Sequence, residues 1–197
     1  MKHTRIFYKL ICALLCAAML VPLAGCGETR ETQREVYAMD TVMTLTAYGK
    51  KADAGLRAAE SIISSMDAAL DPELSTSTTY AINHAQGGST VISGQIAKML
   101  STAHTVYERS EGALDLTIYP LVKRWGFVDG KYYVPTSEEI ASDLSRLCFD
   151  QLVLTSFPSS GSYAVSLPSY GERSFASVAK GCAAHNAVEA MRQAGVT

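Results

Sequence analysis

An α+β domain, built from a mixed sheet with packed helices, is the fold class that this sequence predicts. Three observations carry the prediction. Apolar residues recur at helical spacing in long windows after residues 52, 94 and 179. Segments dense in Val, Thr, Leu and Tyr stand between them without a regular β-α-β alternation. No stretch repeats, and a 48% hydrophobic, 18% charged composition supplies enough apolar material for one core.

The first 25 residues read as a signal peptide rather than as part of the fold. Lys2, Arg5 and Lys9 precede an apolar run from Leu10 to Val21, which is shorter than the roughly 20 residues a spanning helix needs. Leu23-Ala24-Gly25-Cys26 resembles a bacterial lipobox, in which the Cys26 thiol takes the lipid. The expectation is a protein held on the cell membrane by acyl chains at Cys26, facing the periplasm or the cell exterior. Residues 26–35 are then expected as lipidated cysteine and polar tether, with the folded domain spanning 36–197.

Val36 to Tyr48 reads as one or two strands. Leu56, Ala59, Ile63, Met66 and Leu70 define a helix over Ala52–Leu70, with Asp53 as its N-cap or first-turn acid. A second helix is predicted from Gly94 to Ser110, and Ser137-Glu138-Glu139 opens a short third. Ser75–Thr79 and Gly87–Ser89 read as loops. Gln151–Thr155 and Ser162–Leu167 flank Pro158-Ser159-Ser160-Gly161 as a hairpin. The last helix runs from Ala179 to Ala194 and is closed by Gly195. Val196-Thr197 form a β-prone pair after that cap, so the sequence is expected to be a truncated piece of a longer domain whose further strands cover the final helix.

Charge excludes one class of partner. Lys2, Arg5 and Lys9 are the only charged residues before Cys26, and the remainder carries 14 basic against 19 acidic side chains. A formal −5 gives no electrostatic footprint for nucleic acid. Of the five cysteines, Cys12 and Cys16 fall in the signal and Cys26 in the lipobox, leaving Cys148 and Cys182. Their compartment permits one bridge, but no spacing demands it, and two buried free thiols are the expected state.

Two clusters could carry chemistry. Ser110 to Phe127 holds the only tryptophan and places Asp115 among Ala113, Leu114 and Leu116, where a carboxylate needs backbone donors or a ligand. It either meets a ligand or pins the turn before Tyr119-Pro120. In the second, Ala176 to His185, small residues surround Lys180 near a helix start, where unpaired N–H groups and an ammonium suit a phosphate. The plain alternative is a solvated lysine on an alanine-rich helix.

These clusters, in order, resemble the ApbE family of FAD:protein FMN transferases. Met39-Asp40-Thr41 is similar to its Met-Gly-Thr opening, Ser110–Phe127 to its Gly-Ala-Phe-Asp-x-Thr, Pro-Leu and Trp-Gly-Phe segment, and Ala179-Lys180-Gly181 to its Ala-Lys-Gly-Tyr turn. The resemblance spans about residues 36–197 and implies a T-fold-like flavin transferase fold. It also implies Mg²⁺-dependent transfer of FMN from FAD to a threonine hydroxyl of an acceptor flavoprotein subunit, with release of AMP. Met39, Ala113, Leu114, Asp115 and Lys180 would bind FAD, and the backbone carbonyl of Ser177 would face Mg²⁺, the other metal ligands lying beyond Thr197. Ser174, Cys182 and His185 replace an acid, a tyrosine and an aspartate of the pattern. An FAD-binding lipoprotein without transferase activity, or an inactive fragment, are the alternative outcomes.

Overall fold

The computed structural model describes residues 30–196. The predicted signal peptide and Cys26 lie outside them. Strands β1 (Glu31–Ala38) and β2 (Thr41–Tyr48) form a two-stranded antiparallel ribbon, and β3 (Thr90–Ile92), β4 (Val153–Phe157) and β5 (Ser162–Ser166) form a second antiparallel sheet in the order β3-β5-β4. The α+β class therefore holds, with the described strands divided between two small antiparallel sheets. The helices are α1 (Ala52–Leu70), α2 (Thr78–Asn83), α3 (Gly94–Arg109), α4 (Tyr119–Arg124), α5 (Ser137–Leu144) and α6 (Ala176–Gln193). None of the described helices is long and apolar enough to cross a membrane.

The tether assignment needs correction, because β1 begins at Glu31, inside the 26–35 stretch. Its first half is polar on both faces, so the sequence offers no alternation to read. Pairing with β2 supplies the order, from Glu31 opposite Tyr48 to Ala38 opposite Thr41. Arg34 makes ion pairs with Asp53 and Glu60 of α1, which turns a nominally hydrophilic segment into a docked strand.

Helix α1 buries Leu56, Ala59, Ile63, Met66 and Leu70, the stripe its spacing predicts. Against it runs α6, whose buried Ala179, Ala183 and Ala187 recur every fourth residue and let the two backbones approach. Leu100 of α3, Leu116, Phe149, Val165 and Phe175 are completely enclosed with them. Full burial of such side chains is worth about 1.5–3 kcal/mol each.

Helix α6 ends as the sequence predicts. Gly195 takes φ +87°, its N–H donates to the Arg192 carbonyl at 2.9 Å, and the Val196 N–H donates to Met191 at 3.0 Å. That pair of bonds satisfies two of the last helical carbonyls, and Val196 folds back onto the small cluster of Ala47, Ala52 and Leu56. Cys148 is buried, Cys182 is partly buried, and both are free thiols.

Candidate functional site

A cavity of about 300 Å³ opens where the β1–β2 turn, the C-terminal end of α1 and the start of α6 meet. Met39, Asp67, Leu70, Ser174, Ala179 and Lys180 are among the residues that line it. Three separate stretches of chain thus contribute one wall each.

The first wall is a two-residue hairpin loop. Ala38 pairs with Thr41, which leaves Met39 and Asp40 as the only loop residues, at φ +52° and +54°. Left-handed geometry at both central positions matches the right-handed twist of the strands. The Met39 N–H donates to Asp67 Oδ1 at 2.8 Å, so a carboxylate on α1 holds the turn at the cavity rim.

The second wall follows α1. Asp71 accepts the Glu73 N–H at 2.8 Å and Ser77 caps α2 by accepting the Tyr80 N–H at 2.9 Å. The expected loop at Ser75–Thr79 is therefore the entry to a short helix. Ser174 and the first two turns of α6 form the third wall. Lys180 is exposed in the second turn and makes no ion pair among the described residues.

Of the predicted site residues, Met39 and Lys180 meet at this cavity. Ser177 is exposed in the first turn of α6 and is not part of the lining. Ala113, Leu114 and Asp115 do not line it either. Asp115 Oδ1 accepts the Thr117 N–H at 2.7 Å and the Thr117 hydroxyl at 2.5 Å, capping a 3-10 turn over Leu116–Ile118. Thr117 Oγ1 in turn accepts the Cys148 N–H at 3.0 Å. The carboxylate is engaged in the turn-pinning role that the sequence left open. It is nonetheless tied to the cavity, because the Ser174 N–H donates to the Leu116 carbonyl at 3.1 Å.

Asp67 is one of the lining residues that sequence reasoning missed, and a signal for it existed. It lies four residues after Ile63, on the inward stripe of α1, where a carboxylate without a task would be costly.

Beside the cavity lies the buried Arg173. Its side chain donates to the Gly171 carbonyl through Nη2, while Nε and Nη1 have no partner among the described residues. Burial pulls this guanidinium down to about 10. A second depression of about 500 Å³ flanks Tyr119, with Tyr80 and His84 stacked at 3.7 Å on its edge. Burial first, and then the 2.6 Å hydrogen bond to Glu73, push the Tyr119 phenol far above its ordinary range. It stays protonated and serves as a donor.

No group of three or more His, Cys, Asp or Glu side chains converges for a metal ion among the described residues. Mg²⁺ takes near-octahedral oxygen coordination at short distance. It usually keeps several waters and binds through one or two carboxylates together with substrate phosphates.

The chain is similar to known proteins over most of its length. A FAD:protein FMN transferase of Haemophilus influenzae is 28% identical over 200 residues, covering 94% of this chain and 56% of that protein. An ApbE protein of Thermotoga maritima superposes with a TM-score of 0.75 at 17% identity, over 84% of this chain and 54% of that one. The apo flavinyl transferase ApbE of Pseudomonas stutzeri gives 0.73 at 19% identity, over 86% and 54%. The chain thus spans about half the length of the relatives it matches, and the structures establish a shared fold. The sequence profile of the ApbE family matches residues 39–197, from the hairpin turn that lines the cavity onward, and the chain belongs to that family.

Proposed function

We propose that this chain contributes the FAD-binding part of an FAD:protein FMN transferase. The observation that carries the reading is the convergence of Met39 and Lys180, from opposite ends of the matched segment, on one cavity. A flavin nucleotide needs both an apolar contact for its ring and a cation for its phosphate. Met39 supplies a polarizable thioether at the turn. Lys180 supplies an ammonium near a helix start, where the backbone dipole also favours an anion.

In the transfer, a threonine hydroxyl oxygen of the acceptor flavoprotein subunit bonds to the FMN phosphorus. The pyrophosphate P–O bond to AMP breaks, AMP leaves, and the hydroxyl proton passes to solvent. The chain's own contribution is binding and orientation, which brings nucleophile and phosphorus into line. Mg²⁺ dependence is carried by the family reading alone. The metal would neutralise pyrophosphate charge.

A second reading is an FAD-binding protein without transferase activity. The two separate in one assay. The chain is titrated with FAD by flavin fluorescence, then incubated with FAD, Mg²⁺ and a threonine-bearing acceptor subunit. Covalent flavin on the acceptor with equimolar AMP supports transfer. Saturable FAD binding with an unlabelled acceptor supports binding alone, and an absence of FAD binding removes both.

The lipobox at Cys26 supports a membrane-anchored protein facing the periplasm or cell exterior. Labelled palmitate should enter the wild-type protein and be absent from Cys26→Ala. Equal label in that variant would overturn the anchor.

A further inference from the structure

We propose that the aromatic loop from Trp125 to Val134 is a second membrane contact, seated in the headgroup region of the bilayer that holds the acyl chains of Cys26. The inference rests on the lipid-anchor reading above and adds to it the surface that the folded domain turns toward the lipid.

The loop is the densest concentration of exposed apolar side chains among the described residues. Phe127 is 65% exposed, Tyr132 78% and Val134 77%, with Val128 and Tyr133 exposed beside them. Apolar groups left in water at that density mark a contact with another body. They are also ordered. The Trp125 ring stacks on Phe127 with 6.3 Å between centroids, and Tyr132 meets Phe127 edge-on at 6.0 Å. The Tyr133 N–H donates to the Trp125 carbonyl at 3.2 Å, and its phenol donates to Glu139 of α5 at 2.8 Å. Gly126, at φ +78°, lies so close under the loop that an added Cβ would run into the Lys131 carbonyl. The cluster is therefore presented ready-made, with little ordering left to do on contact.

The composition of the tip favours lipid over a protein partner. Tryptophan and tyrosine combine an apolar ring with a polar edge and concentrate at the membrane–water boundary. Asp129 and Lys131 are the only charges between Trp125 and Thr136, and they pair with each other at 3.4 Å. No net charge is left to select an oppositely charged protein surface. With Cys26 lipidated, a bilayer is also the surface that this loop meets at the highest effective concentration.

Geometry gives the contact a role. The link from Cys26 enters at β1, whose Arg34 pairs with Asp53 in the first turn of α1. The loop follows α4, whose Tyr119 bonds Glu73 just past the last turn of α1. The two attachments thus stand toward opposite ends of a helix about 28 Å long. Acyl chains alone hold the protein but leave it free to swing. A second contact lays α1 along the surface and fixes the direction in which the cavity opens.

Trp125 is the only tryptophan of the chain, so its emission reports on the loop alone. The lipidated protein is reconstituted in phosphatidylcholine vesicles with and without bromine-labelled acyl chains, and flotation checks that it stays vesicle-bound. Brominated lipid should quench Trp125 in the parent. The double variant Tyr132→Ser, Val134→Ser changes only exposed side chains and leaves the Trp125–Phe127 stack intact. It should float equally well, keep the Tm of the parent and lose most of the quenching.

Unquenched Trp125 in a floating parent, or undiminished quenching in the variant, would overturn the proposal and leave the anchor standing. So would self-association of the detergent-solubilised parent that the variant abolishes, since the tip would then be an interface between copies. A parent that carries no lipid at Cys26 and does not float would remove the anchor reading and this assignment together.

Discussion

Replacing Lys180 with Met should weaken FAD binding roughly tenfold to hundredfold while leaving riboflavin affinity within about twofold of the parent. Lys180 is the cation of the cavity lining and makes no ion pair among the described residues, so its ammonium is available to an anion. Methionine keeps an unbranched apolar stem of similar length and removes only the charge and its donors. Riboflavin has no phosphate, which makes it the internal control. The contact is exposed to solvent, so the FAD advantage of the parent should also shrink as salt rises. Flavin fluorescence titrations at two ionic strengths measure both effects. Equal FAD affinity in parent and variant would show that Lys180 is a solvated lysine beside the site.

Replacing Arg173 with Met should make the protein more stable by about 2–3 kcal/mol, raising Tm by roughly 5–10 °C for a domain of this size. The guanidinium is 3% exposed, and two of its three nitrogens lack partners among the described residues. A depression to about 10, well below the ordinary guanidinium range, means that the folded state disfavours the charged form. Methionine nearly conserves the length of the side chain but forfeits the bond to the Gly171 carbonyl, which offsets part of the gain.

The pH dependence has a definite sign. Above about pH 10, until the unfolded chain also gives up this proton, the unfolded chain holds it more tightly than the folded one, so stability rises with pH through that window. The penalty is fully present below about pH 10. The advantage of Arg173→Met should therefore be constant at neutral pH and shrink above about pH 10. Urea midpoints at pH 7 and near pH 11 test it, and a variant less stable than the parent at pH 7 would show that the buried charge is compensated.

The sequence carries the long elements of this fold because their signals are local. The α1 stripe and the Gly195 stop are written in residues that touch within a few turns of the chain. The hairpin at Pro158–Gly161 was likewise readable from its turn residues, and β4 and β5 flank it. Short elements escaped for the opposite reason. Helix α2 is six residues long and rich in threonine, so its existence depends on the Ser77 cap and on burial of Thr79 and Ile82. Helix α4 begins with Tyr119-Pro120, where proline opens a helix instead of breaking it. Strand β3 is a three-residue partner of β5 and has no pattern of its own.

The site was legible by halves. Met39 and Lys180 stand in recognisable motifs and do line the cavity, whereas Asp67 and Asp71 reach it only because α1 ends there. Asp115 shows why a motif residue can be read two ways. An acid flanked by apolar neighbours must satisfy its oxygens somehow, and here Thr117 two residues away does so before any ligand is involved.

One contact bears on how the chain reaches this arrangement. The Asn83 side chain accepts the Arg173 N–H and donates to the Arg173 carbonyl, both at 3.0 Å, across a separation of 90 residues. It imitates a neighbouring strand, clamping the segment that leads into α6. Closing a loop of that length costs about 4 kcal/mol in its length-dependent entropy alone, and two hydrogen bonds return only about 1–3 kcal/mol. The clamp therefore cannot form early. It closes once the α1–α6 interface has already brought the two segments together, so the third wall of the cavity is assembled late in folding and is among the first parts to open when that interface loosens.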